Sequence, residues 1–111
     1  MMKYRLSIAA QVRGQLNQAA EWYRQTSGYT DIGDEWAAGF VDAIESLRTD
    51  PARHPLAKEA QKLGVELREL HYGSGKRRTH RALFLIREDV VDVLAIRHSA
   101  QRDVAADDLG L

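Results

Sequence analysis

The sequence predicts a small α+β domain: an N-terminal helical hairpin packed on an antiparallel sheet of three to four strands. Three observations lead there. From Lys76 to Arg102 a basic cluster passes into an apolar run, a short acidic break and a second apolar run, the pattern of a β-hairpin. The first half holds two segments whose apolar residues recur at helical spacing. At 111 residues the chain can fill one modest core but not two, so residues 1–111 read as a single domain.

Taken in order, residues 3–8 form a short edge strand with Tyr4, Leu6 and Ile8 on one face, and Ser7 is a candidate N-cap. Between Ala9 and Gln25, Val12, Leu16, Ala19, Ala20 and Tyr23 make a helical stripe. Gly14 weakens that helix by about 1 kcal/mol relative to alanine and suits a close packing contact. Ser27-Gly28 ends it, and a link of four to six residues leads to a second helix from about Ile32 to Arg48. There Asp34 and Glu35 sit in the first turn, where the macrodipole favours acids. Trp36, Phe40, Ala43, Ile44 and Leu47 face inward, and Asp50-Pro51 stops the helix. Residues 51–64 connect, with room for one helical turn. Strands are predicted at Val65–Tyr72, Arg78–Arg87 and Val90–His98.

A two-residue turn at Glu88-Asp89 sets Arg81 opposite Ile96 and Thr79 opposite His98. One face then carries Ala82, Phe84, Ile86, Val91, Val93 and Ala95; the other carries Arg81, Leu83, Leu85, Leu94, Ile96 and His98. Both faces are apolar, so a second cover is required, and a partner chain is a candidate for it. The tail after Arg102 is expected to fray.

Composition narrows the function classes. Apolar residues make up 44% and charged residues 29%, which excludes a disordered chain. Cysteine is absent, so disulfides and thiolate metal sites are excluded and a reducing cytoplasm fits. No apolar run reaches the ~20 residues of a membrane span, and the N-terminus has no signal-peptide pattern. Net charge is zero, but residues 64–102 hold eight Lys/Arg against five Asp/Glu. That local surplus suits an acidic partner without implying strong nonspecific DNA binding. A sheet with a basic rim reads as a binding surface rather than a small-molecule pocket, and no cofactor motif is present.

Five pieces in this order resemble the RelE/ParE superfamily of type II toxin–antitoxin toxins. They are Ala19-Ala20-Glu21-Trp22-Tyr23; Phe40, Ile44 and Leu47 running to Pro51; Leu67-Arg68-Glu69-Leu70; Arg81-Ala82-Leu83-Phe84; and Val91-Asp92-Val93-Leu94-Ala95-Ile96-Arg97-His98. The resemblance spans almost the whole chain. It implies a growth-inhibiting cytoplasmic toxin neutralised by a cognate antitoxin that wraps its surface, as a toxin–antitoxin hetero-oligomer or with a homodimer. RelE-like members cleave mRNA on the ribosome; ParE-like members poison DNA gyrase without cleaving anything themselves. Arg81 matches the strand arginine of the ribonucleases. The ending His98-Ser99-Ala100-Gln101-Arg102-Asp103 lacks their basic run, and no tyrosine follows Tyr72, which favours the ParE-like side. A non-toxic binding module on the same scaffold is the third reading.

Candidate contacts for target or antitoxin are Arg68, Lys76, Arg77, Arg78, Arg81, Arg97 and His98; a ribonuclease would use Arg81, His98, Lys76 and Arg102. Each has a plain structural alternative. Arg81 suits a salt bridge with Asp92 or Glu69, and His98 a hydrogen-bonded strand end. Lys76-Arg77-Arg78 suits a solvated loop, and Trp22 and Trp36 suit core or helix–helix packing. His71, His80 and His98 lack metal-ligand spacing, so no metal site is expected.

Overall fold

The two runs with the strongest strand pattern lie at the centre of the sheet. A computed structural model describes residues 3–28, 30–73 and 78–111. In chain order its elements are β1 (Arg5–Ile8), α1 (Ala10–Ser27), α2 (Thr30–Glu45), α3 (Ala60–Leu63), β2 (Arg68–Tyr72), β3 (His80–Arg87) and β4 (Val90–His98). Short 3-10 turns cover Ser46–Arg48, Pro51–Arg53 and Ala106–Leu109. The sheet order is β1-β4-β3-β2. β2, β3 and β4 form the expected antiparallel meander, while β1 joins the outer edge of β4 in parallel.

Several boundaries moved for local reasons. α1 has Ala9 as its N-cap with no side-chain cap, not Ser7, because Ser7 is held in β1 opposite Asp92. Gly28 closes α1 with φ 79°, a left-handed cap that glycine adopts freely. The two helices are separated by positions 28 and 29 only, a shorter link than expected. The second helix tightens to 3-10 at Ser46–Arg48 instead of staying α-helical to Arg48. β2 starts at Arg68 and not Val65, and β3 at His80 and not Arg78. Gly14 offers no close approach: a Cβ there would meet nothing. Gly39 does, because Tyr72 Oη lies where its Cβ would stand while donating to Trp36 O at 2.7 Å.

The hairpin register holds from Arg87↔Val90 to Phe84↔Val93 and then shifts. Leu94 is an extra residue, so Leu83 pairs with Ala95, Arg81 with Arg97 and His80 with His98. The bulge exchanges faces beyond it. Ile96 joins Val12, Phe40, Ala82, Phe84, Val91 and Val93 in the core under α1 and α2, and Ala95 joins Leu83, Leu85 and Leu94 on the other side. A bulge strands backbone groups that need partners. Two glutamines one turn apart on α1 supply them: Gln11 Nε2 donates to Leu94 O and Gln15 Oε1 accepts from Ile96 N–H, both at 2.7 Å.

The chain itself covers the second apolar face, where a partner chain was a candidate. Ala57, Ala60 and Leu67 come from the connection, and Val104 and Leu109 from the tail. The tail is therefore packed rather than frayed. It is pinned by Arg102–Asp108 at 2.8 Å, Lys58–Asp103 at 2.8 Å and Gln11 Nε2 on Asp108 O at 2.7 Å.

If the tail is part of the core, Leu109→Ala should lower stability by about 2–5 kcal/mol. Leu111→Ala, two residues on and 46% exposed, should change it by less than about 0.5 kcal/mol. Urea unfolding followed by circular dichroism measures both; equal, small effects would mean that the tail does not seal the sheet.

Candidate binding face at the strand ends

Alternation along β2, β3 and β4 sorts the candidate residues onto two sides of one sheet end. His80 stands across from His98 and from Tyr72, on the side covered by the helices. Arg81 stands across from His71 and from Arg97. Two shallow cavities flank this end. The outer one, about 220 Å³, is lined by Lys58, Glu69, His71, Arg78, His80, Arg81 and Ser99. The inner one, about 250 Å³, is lined by Gln15, Gln18, Ala19, Trp22, His80, Ile96, Arg97, His98 and Gln101.

Arg81 is buried, and its guanidinium is spent inside the protein. Nη1 and Nη2 meet the two carboxylate oxygens of Glu59 at 2.8 and 2.5 Å, and Glu69 lies 3.6 Å away. Glu59, only 2% exposed, also accepts the Val104 N–H at 3.0 Å. Sequence reasoning missed Glu59 because it lies 22 positions from Arg81 in a connection with no strand pattern. Asp92, one expected partner, pairs with Arg87 at 2.8 Å instead. The bidentate hydrogen bonds from Arg81 hold the Glu59 carboxyl at about 2, against an opposing burial effect.

The remaining cations are distributed over structural bonds. Arg68 donates to Ala52 O and His54 O, fastening β2 to the connection before it. Arg97 donates to Arg102 O, and Arg102 grips Asp108 through two hydrogen bonds, so both hold the tail. Arg78 is exposed and donates to His71 O at 3.2 Å. Lys76 and Arg77 lie outside the described residues.

The geometry at His98 decides what its ring can do. Its Nδ1 accepts the Ala100 N–H at 3.0 Å, which places the neutral ring's proton on Nε2. Among the described residues Nε2 is buried without a hydrogen-bond partner, and the ring packs against Trp22 and His80, each with centroids 4.9 Å apart. With one nitrogen accepting and the other protonated, His98 has no free lone pair for a metal or for general-base work. His80 is 3% exposed inside Trp22, Trp36 and Phe40, with Nδ1 2.9 Å from Thr79 Oγ1. Burial first, and the neighbouring His98 second, push it down to about 4. A desolvated cation–π contact with the indoles favours the charged ring by about 2 kcal/mol, less than the several kcal/mol of burying an ion, so the neutral form wins. His71 sits apart from these two, beside Glu69 at 2.8 Å. Among the described residues no three His, Asp or Glu side chains gather as a metal cluster.

Trp36 is core, stacked on Tyr23. Trp22 departs from the expected role: it is 38% exposed and closes over the two histidines rather than joining the main core. Elsewhere on the molecule, Leu6, Ile8, Val12, Leu16, Val41 and Ile44 line an apolar groove of about 190 Å³ between β1 and the helices, with Arg13 and Glu45 among its walls.

Residues 6–103 match the sequence profile of the family described as ParE toxin of type II toxin-antitoxin system, parDE. The chain belongs to the ParE toxin family. A solved structure described as the chromosomal ParDE TA system from P. aeruginosa shares the fold with a TM-score of 0.67 at 14% identity. The match covers 86% of this chain and 96% of that one. A search of curated proteins found no match. This ParE-family chain therefore carries the α+β architecture its sequence predicted, with β1 added as a parallel edge strand.

Two outcomes follow from the buried pair. Arg81→Leu alone should cost about 3–5 kcal/mol, because Glu59 is left buried and uncompensated, whereas Arg81→Leu with Glu59→Leu should recover most of that loss. Matching losses in single and double variants, read by denaturant unfolding, would show that the charges are not coupled. Because Glu59 is lowered from 4.5 to about 2, its contribution is complete above pH 4.5 and lost as pH falls toward 2. Glu59→Gln should flatten the stability profile in that window; an unchanged acid limb would remove Glu59 from the account.

Proposed function

We propose that this ParE-family chain inhibits bacterial growth by binding DNA gyrase in the cytoplasm, without chemistry of its own, and that a cognate antitoxin neutralises it. The observation that carries this reading is the burial of Arg81 against Glu59. The ribonuclease alternative assigns Arg81 to the scissile phosphate, His98 to proton exchange and Lys76 or Arg102 to charge compensation. Arg81 is neutralised by Glu59, His98 lacks a free lone pair, and Arg102 is engaged by Asp108. Phosphoryl chemistry needs cations aimed at developing charge, and these are aimed elsewhere. Lys76 lies outside the described residues.

For the antitoxin, the groove between β1 and the helices has the form an amphipathic segment needs. Ile8 and Val41 are exposed by 47% and 43%, beside the half-buried Leu6 and Leu16. β1 is an edge strand whose outer side meets the chain at Lys3 and Tyr4, through the Lys3↔Thr49 bridge and the Tyr4 N–H on Arg48 O. An antitoxin helix laid along the groove covers this apolar patch, and a chain that covers it can also deny the target access.

Induced expression in a bacterial host tests the reading, with growth, chromosome integrity and transcript ends scored together. Growth arrest with broken or relaxed DNA and uncut transcripts is expected, along with inhibition of purified gyrase. Arg81→Ala is a poor probe because it disrupts the core; Arg78→Ala and His71→Ala alter the exposed rim and spare the Glu59 pair. Codon-phased transcript cleavage would overturn the gyrase reading, and unimpaired growth at good soluble yield would overturn toxicity itself.

A further inference from the structure

The His80–His98 pair remains without a role in the proposed binding activity. It sits where four parts of the chain meet. His80 belongs to β3 and His98 ends β4 directly across from it, with ring centroids 4.9 Å apart and planes at 87°. Trp22 of α1 touches both rings, at 5.4 and 4.9 Å, and Trp36 of α2 touches His80 at 4.9 Å. The turn into the tail is built on His98: its ring accepts the Ala100 N–H, and its own N–H is taken by Gln101 Oε1 at 2.7 Å.

We propose that this histidine pair is a proton-operated clasp, closed while His80 is neutral, which fixes Trp22 and the start of the C-terminal tail to the sheet end and releases them on acidification. His98 supplies the geometry: its Nδ1 accepts the Ala100 N–H, which holds its ring edge-on against His80. A proton added to His80 is buried among aromatic rings and faces the second imidazole.

The surroundings offer little to compensate a positive charge there. Facing His80 from β4 is His98, from β2 the phenol Tyr72, and from the helices the indoles Trp22 and Trp36 with Phe40; none of these side chains is a carboxylate. The outer cavity shared by His80 adds Lys58, Arg78, Arg81 and the titratable His71, against one carboxylate, Glu69, which already lies beside Arg81 and His71. His80 is held down to about 4 from the ordinary 6.5. With the folded-state value depressed, its contribution to the closed state is complete above 6.5 and disappears as pH falls through about 4. Glu59, held at about 2, keeps the core pair charged through most of that interval. The clasp can thus open while the Arg81–Glu59 core stays closed.

The test is a pH titration of the full-length protein from 7.5 to 3.5. It follows fluorescence of a Trp36→Phe variant, in which Trp22 alone reports, beside far-UV circular dichroism. The expected result is a reversible change in Trp22 emission over an interval where the circular dichroism is still native, absent in His80→Gln. His98→Gln keeps a hydrogen-bonding side chain but removes the second imidazole, so it should move the remaining transition to higher pH. A Trp22 change that coincides with loss of secondary structure would overturn the clasp, as would an unaltered midpoint in both histidine variants. Should His80→Gln fail to fold, the His98→Gln midpoint decides alone: an upward shift supports the clasp and an unchanged midpoint refutes it.

Discussion

The carboxylate of Glu59 is the point at which three distant stretches of this chain are tied together. It belongs to the connection after the helical hairpin, accepts both terminal nitrogens of Arg81 in the central strand β3, and takes the N–H of Val104 from the tail. A charge 2% exposed is tolerable only because every partner is in place. The consequence reaches beyond one residue. With Glu59 anchored, α3 and the tail lie across Leu83, Leu85 and Leu94, and the second face of the sheet is sealed without help from another chain. The same bond takes the strand arginine away from any external phosphate.

The bulge at Leu94 has a comparable reach on the other face. One additional residue in β4 turns Ile96 toward the helices and brings His98 opposite His80. Gln11 and Gln15 then hold α1 along the edge of β4 beyond the point where β1 ends, answering the carbonyl and amide that the bulge leaves open. Trp22, further along α1, reaches the histidines as a result. The inner cavity at this sheet end is therefore a product of the bulge.

Seen together, the basic residues of a ParE-family chain need not advertise a catalytic centre. Arg68, Arg81, Arg97 and Arg102 bind carbonyls or carboxylates of their own chain, each fastening a segment that lacks regular hydrogen bonding. A local surplus of cations in the second half of the sequence thus reflects how irregular connections are held down as well as what the rim can attract. The apolar patch on β1 and the helices, by contrast, is not consumed by the fold, and it is the surface to which the proposal assigns the antitoxin.

What the sequence by itself determined was local. The helical stripes through Val12, Ala19 and Ala20 and through Trp36, Phe40 and Ile44, the stop at Pro51 and the span of β4 all follow from periodicity and backbone chemistry within a few residues. The family resemblance was legible too, because it rests on the order of such pieces. Tertiary structure decided the rest: the slip at Leu94, the parallel docking of β1, the choice of Glu59 for Arg81, and the tail as cover for the second face. A bulge costs little in sequence pattern when both faces are apolar, since either register buries hydrophobic side chains. An ion pair across 22 positions leaves no periodic trace at all. Those choices are made by packing and by the need to satisfy buried charge, and neither can be read until the elements have met.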